Sequence, residues 1–180
     1  MKASVFIAVS LDGYIARENG DIDWLENHES DEEEDYGFVD FMKSVDVLVM
    51  GRNTWEKLLS FNTWPYGDKP LVVMSSRTVN IPEHLSGTVE SANLSPSGLM
   101  EKLSERGWDH AYIDGGKTIQ GFLEAGLIHR LIITTIPVLL GSGIPLFGHL
   151  SSDIQLKLIR TTSYNNGFVQ SEYHVSGKHI

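Results

Sequence analysis

Residues 113–119 carry the residue types best suited to chemistry, because two glycines and a lysine follow a short apolar run. Gly115 and Gly116 leave backbone N–H groups unobstructed, and the residues after them have helical spacing. A helix N-terminus carries partial positive charge and unpaired donors, and Lys117 adds a full charge. The stretch predicts a diphosphate-binding turn, with a tight structural turn as the alternative. It lacks the complete Gly-x-Gly-x-x-Gly pattern of a Rossmann site.

Residues 26–35 are mostly carboxylates, and a metal site is one interpretation of them. Their spacing matches no EF-hand loop, and the seven histidines show no His-Glu-x-x-His pairing. The segment is better interpreted as a solvated loop leading into an acidic first helical turn. The sequence therefore predicts no metal.

The elements that position these residues are β-branched runs alternating with helical patterns, which predicts a largely parallel sheet. Strands are predicted over residues 4–11, 46–50, 71–74, 88–91, 110–113 and 130–137. Helices are predicted over residues 31–44, 53–60, 96–106 and 118–125. Ser95 before Pro96 is typical of a helix start. The last third predicts an antiparallel hairpin over residues 155–162 and 168–175, joined through Asn166-Gly167.

Composition restricts the class of protein. The chain has 180 residues, 41% of them hydrophobic, which predicts a single globular domain over residues 1–180. A net charge of −10 disfavours nucleic-acid partners, and no apolar run is long enough to span a bilayer. The absence of cysteine excludes disulfides and thiolate catalysis. We expect a cytoplasmic protein.

Four segments resemble, in order, the dihydrofolate reductase-like superfamily, and more narrowly the reductase domain of the riboflavin-pathway deaminase-reductase and its stand-alone bacterial relatives. They are residues 8–24, 49–56, 113–117 and 137–147. Two motifs, Ser-Leu-Asp-Gly-Tyr-Ile-Ala and Pro-Val-Leu-Leu-Gly-x-Gly-Ile-Pro-Leu-Phe, resemble the riboflavin-type branch. The resemblance implies an α/β, dihydrofolate reductase-like three-layer sandwich. Its central sheet would be mostly parallel, with helices on both faces and a C-terminal antiparallel hairpin.

The resemblance also implies an NADPH site along the carboxyl edge of the sheet, where open α/β folds bind ligands. The implied cofactor residues are Ala8, Asp12, Gly13, Gly51, Arg52, Thr54, Ser75, Ser76, Arg77, Gly115, Gly116, Lys117 and Thr118. Arg52, Arg77 and Lys117 at three strand ends favour NADPH over NADH, because a phosphate monoester binds cationic donors. The alternative is that each is an ordinary solvent-facing cation.

The loop over residues 11–24 resembles the mobile segment that lies beside the nicotinamide in this superfamily, with Gly13 and Gly20 as flexible points. The resemblance makes Trp24 a wall of the substrate pocket, and a role as a core aromatic is compatible with it. Counting back from Gly51 places Asp35 where folate reductases hold a catalytic carboxylate. A helical slip of one residue would give that role to Glu34 or Tyr36.

One departure from folate reductases concerns the substrate. Where those enzymes carry an arginine that pairs with the glutamyl tail of folate, this chain reads Pro-Tyr-Gly-Asp-Lys-Pro over residues 65–70. Asp68 would repel that tail, which disfavours folate. No zinc-binding Cys motif of the deaminase half of the pathway is present, because the sequence has no cysteine.

These observations predict a reductase that transfers hydride from NADPH to a C=N or C=O group of a small heterocycle, such as 5-amino-6-(5-phosphoribosylamino)uracil or a pterin. The alternatives are an ordinary dihydrofolate reductase and a nucleotide-binding module without turnover. The apolar run over residues 137–147 further predicts a homodimer with that segment in or near the interface. The alternative is that the run is buried within the monomer.

Overall fold

The structure of this chain, a computed structural model, describes residues 1–26, 34–61 and 64–176. Within these ranges the strands are β1 Lys2–Ser10, β2 Tyr14–Ala16, β3 Val47–Gly51, β4 Leu71–Met74, β5 Val89–Ala92, β6 His110–Asp114, β7 Arg130–Ile136, β8 Ile144–Pro145, β9 Gln155–Ser163 and β10 Val169–Ser176. The α-helices there are α1 Asp23–Glu26, α2 Phe38–Lys43, α3 Arg52–Leu58, α4 Pro96–Glu105 and α5 Gly116–Glu124.

Eight strands form one sheet in the order β5–β4–β3–β6–β1–β7–β10–β9. From β5 to β7 every neighbouring pair is parallel. Strand β10 is antiparallel to both β7 and β9. The predicted mostly parallel sheet that ends in an antiparallel hairpin is therefore confirmed.

Helices cover both faces of this sheet, as predicted. Alternate residues of a strand point to opposite faces, and β3 shows the consequence. Val49 belongs to an apolar cluster that includes buried residues of α4 and α5. Met50 belongs to a second cluster, with Trp55 of α3 and Phe41 of α2.

The helix predicted over residues 31–44 is shorter than expected, because α2 begins at Phe38. Residues 31–33 lie outside the described residues. Tyr36 and Gly37 have φ angles of 54° and 81°, in the left-handed region, which a right-handed helix cannot include. Asp35 therefore precedes the helix instead of lying within it.

Strands β2 and β8 form a separate two-stranded antiparallel sheet, which the sequence analysis did not predict. Tyr14 pairs with Pro145 and Ala16 with Ile144. The backbone N–H of Leu146 also donates to the carbonyl of Gly13, at 3.0 Å. The loop after β1 and the segment after β7 are thus joined by backbone pairing.

No helix in the described ranges combines the length and apolarity needed to cross a membrane. In those ranges, no three His, Asp or Glu side chains come together in an arrangement that would hold a metal ion. Most of the acidic segment over residues 26–35 lies outside the described residues, so the solvated loop expected there stays a prediction.

Candidate functional site

The carboxyl ends of the parallel strands meet at one edge of the sheet. Strands β3 and β6 are neighbours there, with Met50 paired to Asp114 in register. Strand β4 lies on the other side of β3, with Met74 paired to Gly51. The cofactor residues predicted after these strands, over residues 51–54, 75–77 and 115–118, therefore lie along three adjacent strand ends.

Two helix N-termini contact each other at this edge. Gly51 caps α3 and Gly115 caps α5, and neither cap provides a side-chain hydrogen bond. A Cβ on Gly51 would lie 2.8 Å from Thr118 Oγ1, and a Cβ on Gly115 would overlap Thr54 Oγ1. Each helix thus places a threonine against the glycine cap of the other. The two helix N-termini, each with partial positive charge, therefore lie side by side.

The β2–β8 sheet covers this edge from the side of α5. A Cβ on Gly116 would lie 3.0 Å from Ile15 Cδ1 and 3.3 Å from the carbonyl oxygen of Pro145. The absence of a side chain at Gly116 therefore allows the loop after β1 to approach the first turn of α5. Gly13 in that loop has a φ of 88°, which requires glycine for an unstrained turn.

The Asp12 carboxylate joins two loops beside the site. It accepts hydrogen bonds from the Ser10 hydroxyl at 2.6 Å and from the N–H groups of Leu140 and Gly141 at 3.1 and 2.7 Å. These bonds, that of Ser10 first, lower the pKa of Asp12. The geometry gives Asp12 the task of holding the 138–141 segment, and its predicted contact with the cofactor stays a prediction.

A second tether holds the same loop against α3. Lys57 Nζ lies 2.8 Å from Asp21 Oδ1, across 36 positions of the chain. Arg17 and Asp23 pair within the loop at 2.6 Å. The segment predicted to be mobile is therefore attached at both of its ends in this structure.

The three cations predicted at the cofactor site, Arg52, Arg77 and Lys117, follow the neighbouring strands β3, β4 and β6. Arg52 pairs with Glu56 one turn further along α3, at 2.8 Å. Arg77 is exposed, and its N–H donates to the Ser75 hydroxyl at 3.0 Å, which forms a tight turn. Lys117 is exposed on the first turn of α5. Ser76, also exposed, lies within the turn after β4.

Trp24 lies in a third apolar cluster, where it is only 3% exposed, and Ala8 packs against that cluster. Its indole Nε1 is buried and has no acceptor among the residues that the structure describes. A buried donor without a partner costs free energy, which a ligand oxygen at that position would relieve. Core packing and a place in the wall of the pocket are both consistent with this geometry.

Sequence reasoning missed a buried polar pair next to Ala8. Thr134 is in register with Ala8 on the neighbouring strand, and Gln170 Nε2 donates to its hydroxyl at 3.1 Å. Both side chains are buried. The polar and apolar residues alternate in β7 and β10, so the sequence pattern did not distinguish Thr134 and Gln170 from polar residues that face solvent.

Asp35 lies at the start of α2 and is exposed. Its two carboxylate oxygens accept the N–H groups of Gly37 and Val39, both at 2.9 Å. These bonds, that of Val39 first, lower the pKa of Asp35. The neighbouring Glu34 carboxylate accepts the N–H of Tyr36, also at 2.9 Å. The substrate-facing role predicted for Asp35 stays a prediction, beside the helix-capping role that the geometry shows.

Asp114 is a second residue that sequence reasoning missed. It ends β6 directly before the glycine pair, and its carboxylate accepts the N–H of Gly115 at 2.8 Å. Burial raises the pKa of Asp114 to about 6. A carboxyl group that titrates near neutrality at a strand end is a candidate proton donor. The sequence did contain a signal for this residue, which is an acidic side chain at the end of an apolar strand, directly before a Gly-Gly turn.

Comparison with known proteins gives this arrangement a context. The family model described as the RibD C-terminal domain matches residues 2–170. A protein assigned to riboflavin biosynthesis from Shewanella sp. PV-4 has a solved structure that is 41% identical, with a TM-score of 0.92. The match covers 98% of this chain and 100% of that one. The uncharacterized protein YwjB from Bacillus subtilis is 36% identical over 96% of this chain and 97% of its own length.

A more remote structure shares only the fold. Dihydrofolate reductase from Enterococcus faecalis, solved with NADP(H), is 14% identical, with a TM-score of 0.65 over 98% of this chain and 97% of that one. The fold of this chain is therefore dihydrofolate reductase-like, as the sequence motifs predicted.

Proposed function

We propose, on the premise that this chain belongs to the RibD C-terminal domain family, that it uses NADPH to reduce a small heterocycle. Members of that family are reductases, so the chain is an oxidoreductase of the riboflavin-pathway type. The single observation that carries the cofactor proposal is the reciprocal contact of Thr54 with Gly115 and of Thr118 with Gly51. It brings two glycine-capped helix N-termini together, and backbone N–H groups at such termini are suited to a diphosphate.

The cofactor fits the residues at this edge. Backbone N–H groups of the first turns of α3 and α5 would bind the diphosphate, and Lys117 would add charge. The turn over residues 75–77 lies one strand further along, within the reach of an adenosine 2′-phosphate. NADPH, when bound, supplies the hydride, and the protein supplies position and electrostatics.

The substrate would lie on the side of Ala8 and Trp24. In this proposal the small Ala8 side chain leaves room for a flat ring, and the unpartnered Trp24 Nε1 donates to a substrate oxygen or nitrogen. Asp35 faces the substrate through the second lone pairs of its oxygens. Asp114 holds the proton that reduction of a C=N or C=O bond consumes, because its pKa of about 6 keeps a protonated fraction near neutrality.

A binding and turnover series tests this function. Fluorescence titration should show NADPH binding, and NADPH oxidation should follow addition of a ribosylamino-pyrimidine or a small oxidised pterin. Binding without oxidation across the panel would favour the nucleotide-binding module. Efficient turnover of dihydrofolate alone would favour a dihydrofolate reductase. Failure to bind NADPH would overturn the proposal.

We also propose a homodimer. Leu139 and Phe147, in the segment predicted at the interface, are 69% and 46% exposed. Every residue of the edge strand β9 is exposed as well, including Leu158 at 53%. Unpaired apolar edges of this length promote association. Light scattering at micromolar concentration should give twice the chain mass, and a monomeric mass would contradict this. A single domain over residues 1–180 and a cytoplasmic location stay predictions.

A further inference from the structure

One side chain of α5, that of Gln120, joins the helix to the β2–β8 sheet. Its amide nitrogen Nε2 donates to the carbonyl oxygen of Pro145 at 3.1 Å and to that of Leu146 at 3.2 Å. A primary amide has two N–H donors, and this arrangement uses both of them. Gln120 is half-buried and lies outside the set of predicted cofactor residues.

The same face of α5 makes room for the β2–β8 sheet one turn earlier. Gly116 and Gln120 are four positions apart, so they lie on the same face of the helix. A Cβ on Gly116 would lie 3.3 Å from the carbonyl oxygen of Pro145, which is the oxygen that Gln120 binds. Gly116 therefore allows β8 to approach α5 closely, and Gln120 provides the hydrogen bonds that hold it there.

Two further glycines show how closely these elements pack. Neither Gly143 nor Gly148 has a positive φ, so the backbone conformation does not require glycine at either position. A Cβ on Gly148 would lie 2.6 Å from Gln120 Oε1, and a Cβ on Gly143 would overlap the carbonyl oxygen of Ala16 in β2. A side chain at residue 148 would therefore displace the Gln120 amide.

Leu146, the residue after β8, is held by three contacts. Its side chain is 1% exposed and belongs to the apolar cluster that contains Ile119 and Phe122 of α5. Its N–H donates to the carbonyl of Gly13 at 3.0 Å, and its own carbonyl accepts from Gln120. A displacement of β8 relative to α5 would therefore move the loop after β1 as well.

The strand order places this loop beside one half of the proposed cofactor. With the diphosphate at the ends of β3 and β6 and the adenosine 2′-phosphate after β4, the nicotinamide half extends towards β1, the next strand after β6. The loop that leaves β1 and continues through β2 would therefore border the nicotinamide. This step depends on the proposed function, because it takes NADPH as the ligand.

We propose that Gln120 is a positioning residue, which aligns the β2–β8 sheet beside the nicotinamide with the diphosphate-binding turn of α5. It acts through the carbonyl groups of Pro145 and Leu146 and not through a contact of its own with the cofactor. An amide suits this task, because it donates two hydrogen bonds without adding a charge. An ionised carboxylate at the same position would offer the two carbonyl oxygens no donor.

Hydrogen exchange tests the contact, and NADPH fluorescence tests its consequence. Gln120→Ala removes both hydrogen bonds and keeps a residue that favours helix. In this variant the amide of Leu146 should exchange at least tenfold faster than in wild type, whereas the amides of β4 should keep their rates. The NADPH Kd should change less than twofold, because the first turn of α5 is intact. The fluorescence enhancement of bound NADPH at saturation should fall by at least half, because water then reaches the dihydronicotinamide ring.

Glu124→Ala, at an exposed position one turn further along α5, is the matched control and should leave all three measurements unchanged. Gln120→Glu keeps the shape of the side chain and provides a test by pH. At pH 7 its Leu146 exchange rate relative to wild type should equal that of Gln120→Ala, because the carboxylate has no donor. At pH 5 the ratio should fall towards one, because a protonated carboxyl group donates one hydrogen bond.

The exchange rates of β4 distinguish a local displacement from a loss of global stability, which would raise them too. If Gln120→Ala melts below the measuring temperature, Gln120→Glu at the two pH values decides by the same measurements. Unchanged Leu146 exchange, unchanged fluorescence enhancement, or a tenfold rise in the NADPH Kd would overturn the proposal. Failure of wild type to bind NADPH would overturn the proposed function, and this inference with it.

Discussion

Thr118 Oγ1 lies 2.8 Å from the position that a Cβ on Gly51 would occupy, although 67 positions separate the two residues. Any side chain at Gly51 would displace the threonine and widen the gap between α3 and α5. The Cβ of Gly115→Ala would overlap Thr54 in the same way. Residue 115 also has a φ of 89°, which is strained for alanine. We expect each alanine variant to raise the NADPH Kd at least tenfold, about 1.4 kcal/mol, in fluorescence titration.

The matched control for these variants is Gly87→Ala. Gly87 has no heavy atom within 4 Å of its added Cβ and no positive φ. Its NADPH affinity should equal that of wild type. Wild-type affinity in Gly51→Ala and Gly115→Ala would mean that the cofactor does not approach these caps.

A second prediction concerns Asp12. Asp12→Asn replaces one acceptor oxygen by a donor, so one of the N–H groups of Leu140 and Gly141 loses its partner. The melting temperature should fall at pH 7. Because the folded-state pKa of Asp12 is lowered, its stabilisation is present above the unfolded value of ~3.9 and is lost as pH falls through the folded value.

The difference in melting temperature between wild type and Asp12→Asn should therefore shrink below pH 4. Asp153→Asn, at an exposed position outside the site, is the control and should melt like wild type at both pH values. A difference that stays constant with pH would show that the ionised carboxylate does not hold the two loops.

The third prediction concerns Asp114. If it donates the proton, kcat should fall as pH rises through about 6, the pKa that burial gives it. Asp114→Asn keeps the shape and the acceptor for Gly115 N–H but removes the acid. We expect kcat to fall by ~10²–10⁴ with little change in the NADPH Kd, measured by stopped-flow reduction and titration. An unchanged pH profile in Asp114→Asn would exclude this role.

Asp114→Asn should also change the free energy of unfolding, in the direction opposite to Asp12→Asn. A folded-state pKa raised to about 6 means that Asp114 stabilises the fold below the unfolded value of ~3.9. That contribution is lost as pH rises through 6, because the ionised group is buried. Asp114→Asn should gain roughly 1–3 kcal/mol relative to wild type between pH 4 and pH 7 in urea unfolding. A gain at pH 4 as large as at pH 7 would contradict this.

The fourth prediction separates the two arginines of the cofactor edge. Arg52 already pairs with Glu56, whereas Arg77 is exposed after β4. Arg77→Ala should reduce the preference for NADPH over NADH by roughly 1–3 kcal/mol, and Arg52→Ala by less. The ratio of the two Kd values measures this, with Lys102→Ala as the control. Equal affinity of wild type for NADPH and NADH would refute a 2′-phosphate site.

Much of the fold was predictable where local patterns and tertiary packing agree. Strand β4 occupies the predicted range, and the Ser95 hydroxyl accepts the N–H of Gly98 at 3.2 Å, as its position before Pro96 indicated. Gly167, with a φ of 85°, turns the chain between β9 and β10 as Asn-Gly predicts. These features depend on residues close together in sequence, so the sequence alone predicts them.

The remaining features depend on contacts between distant segments. The pairing of β2 with β8 joins residues about 130 positions apart, and two- or three-residue strands give no periodic signal. The proximity of Asp12 to Gly141 and the elevated pKa of Asp114 likewise follow from tertiary placement. The start of α2 was mispredicted because Tyr36 is left-handed, and two of its hydrogen-bond partners, Gln170 and Asn166, lie far along the chain.

The final prediction concerns rejection of a glutamate tail. Asp68 is exposed in the turn before β4, and the neighbouring cation is already engaged, because Lys69 Nζ donates to the carbonyl of Val45 at 2.6 Å. A folate tail would meet the Asp68 carboxylate there, and two like charges at short range near a surface cost about 1–4 kcal/mol. NADPH oxidation should therefore be faster with small oxidised pterins or ribosylamino-pyrimidines than with dihydrofolate. Asp68→Arg should lower the KM for dihydrofolate and leave tail-less substrates unchanged, whereas Asp68→Asn should give an intermediate value. Efficient turnover of dihydrofolate by wild type, or an equal effect of Asp68→Arg on both classes, would show that this turn does not face the substrate.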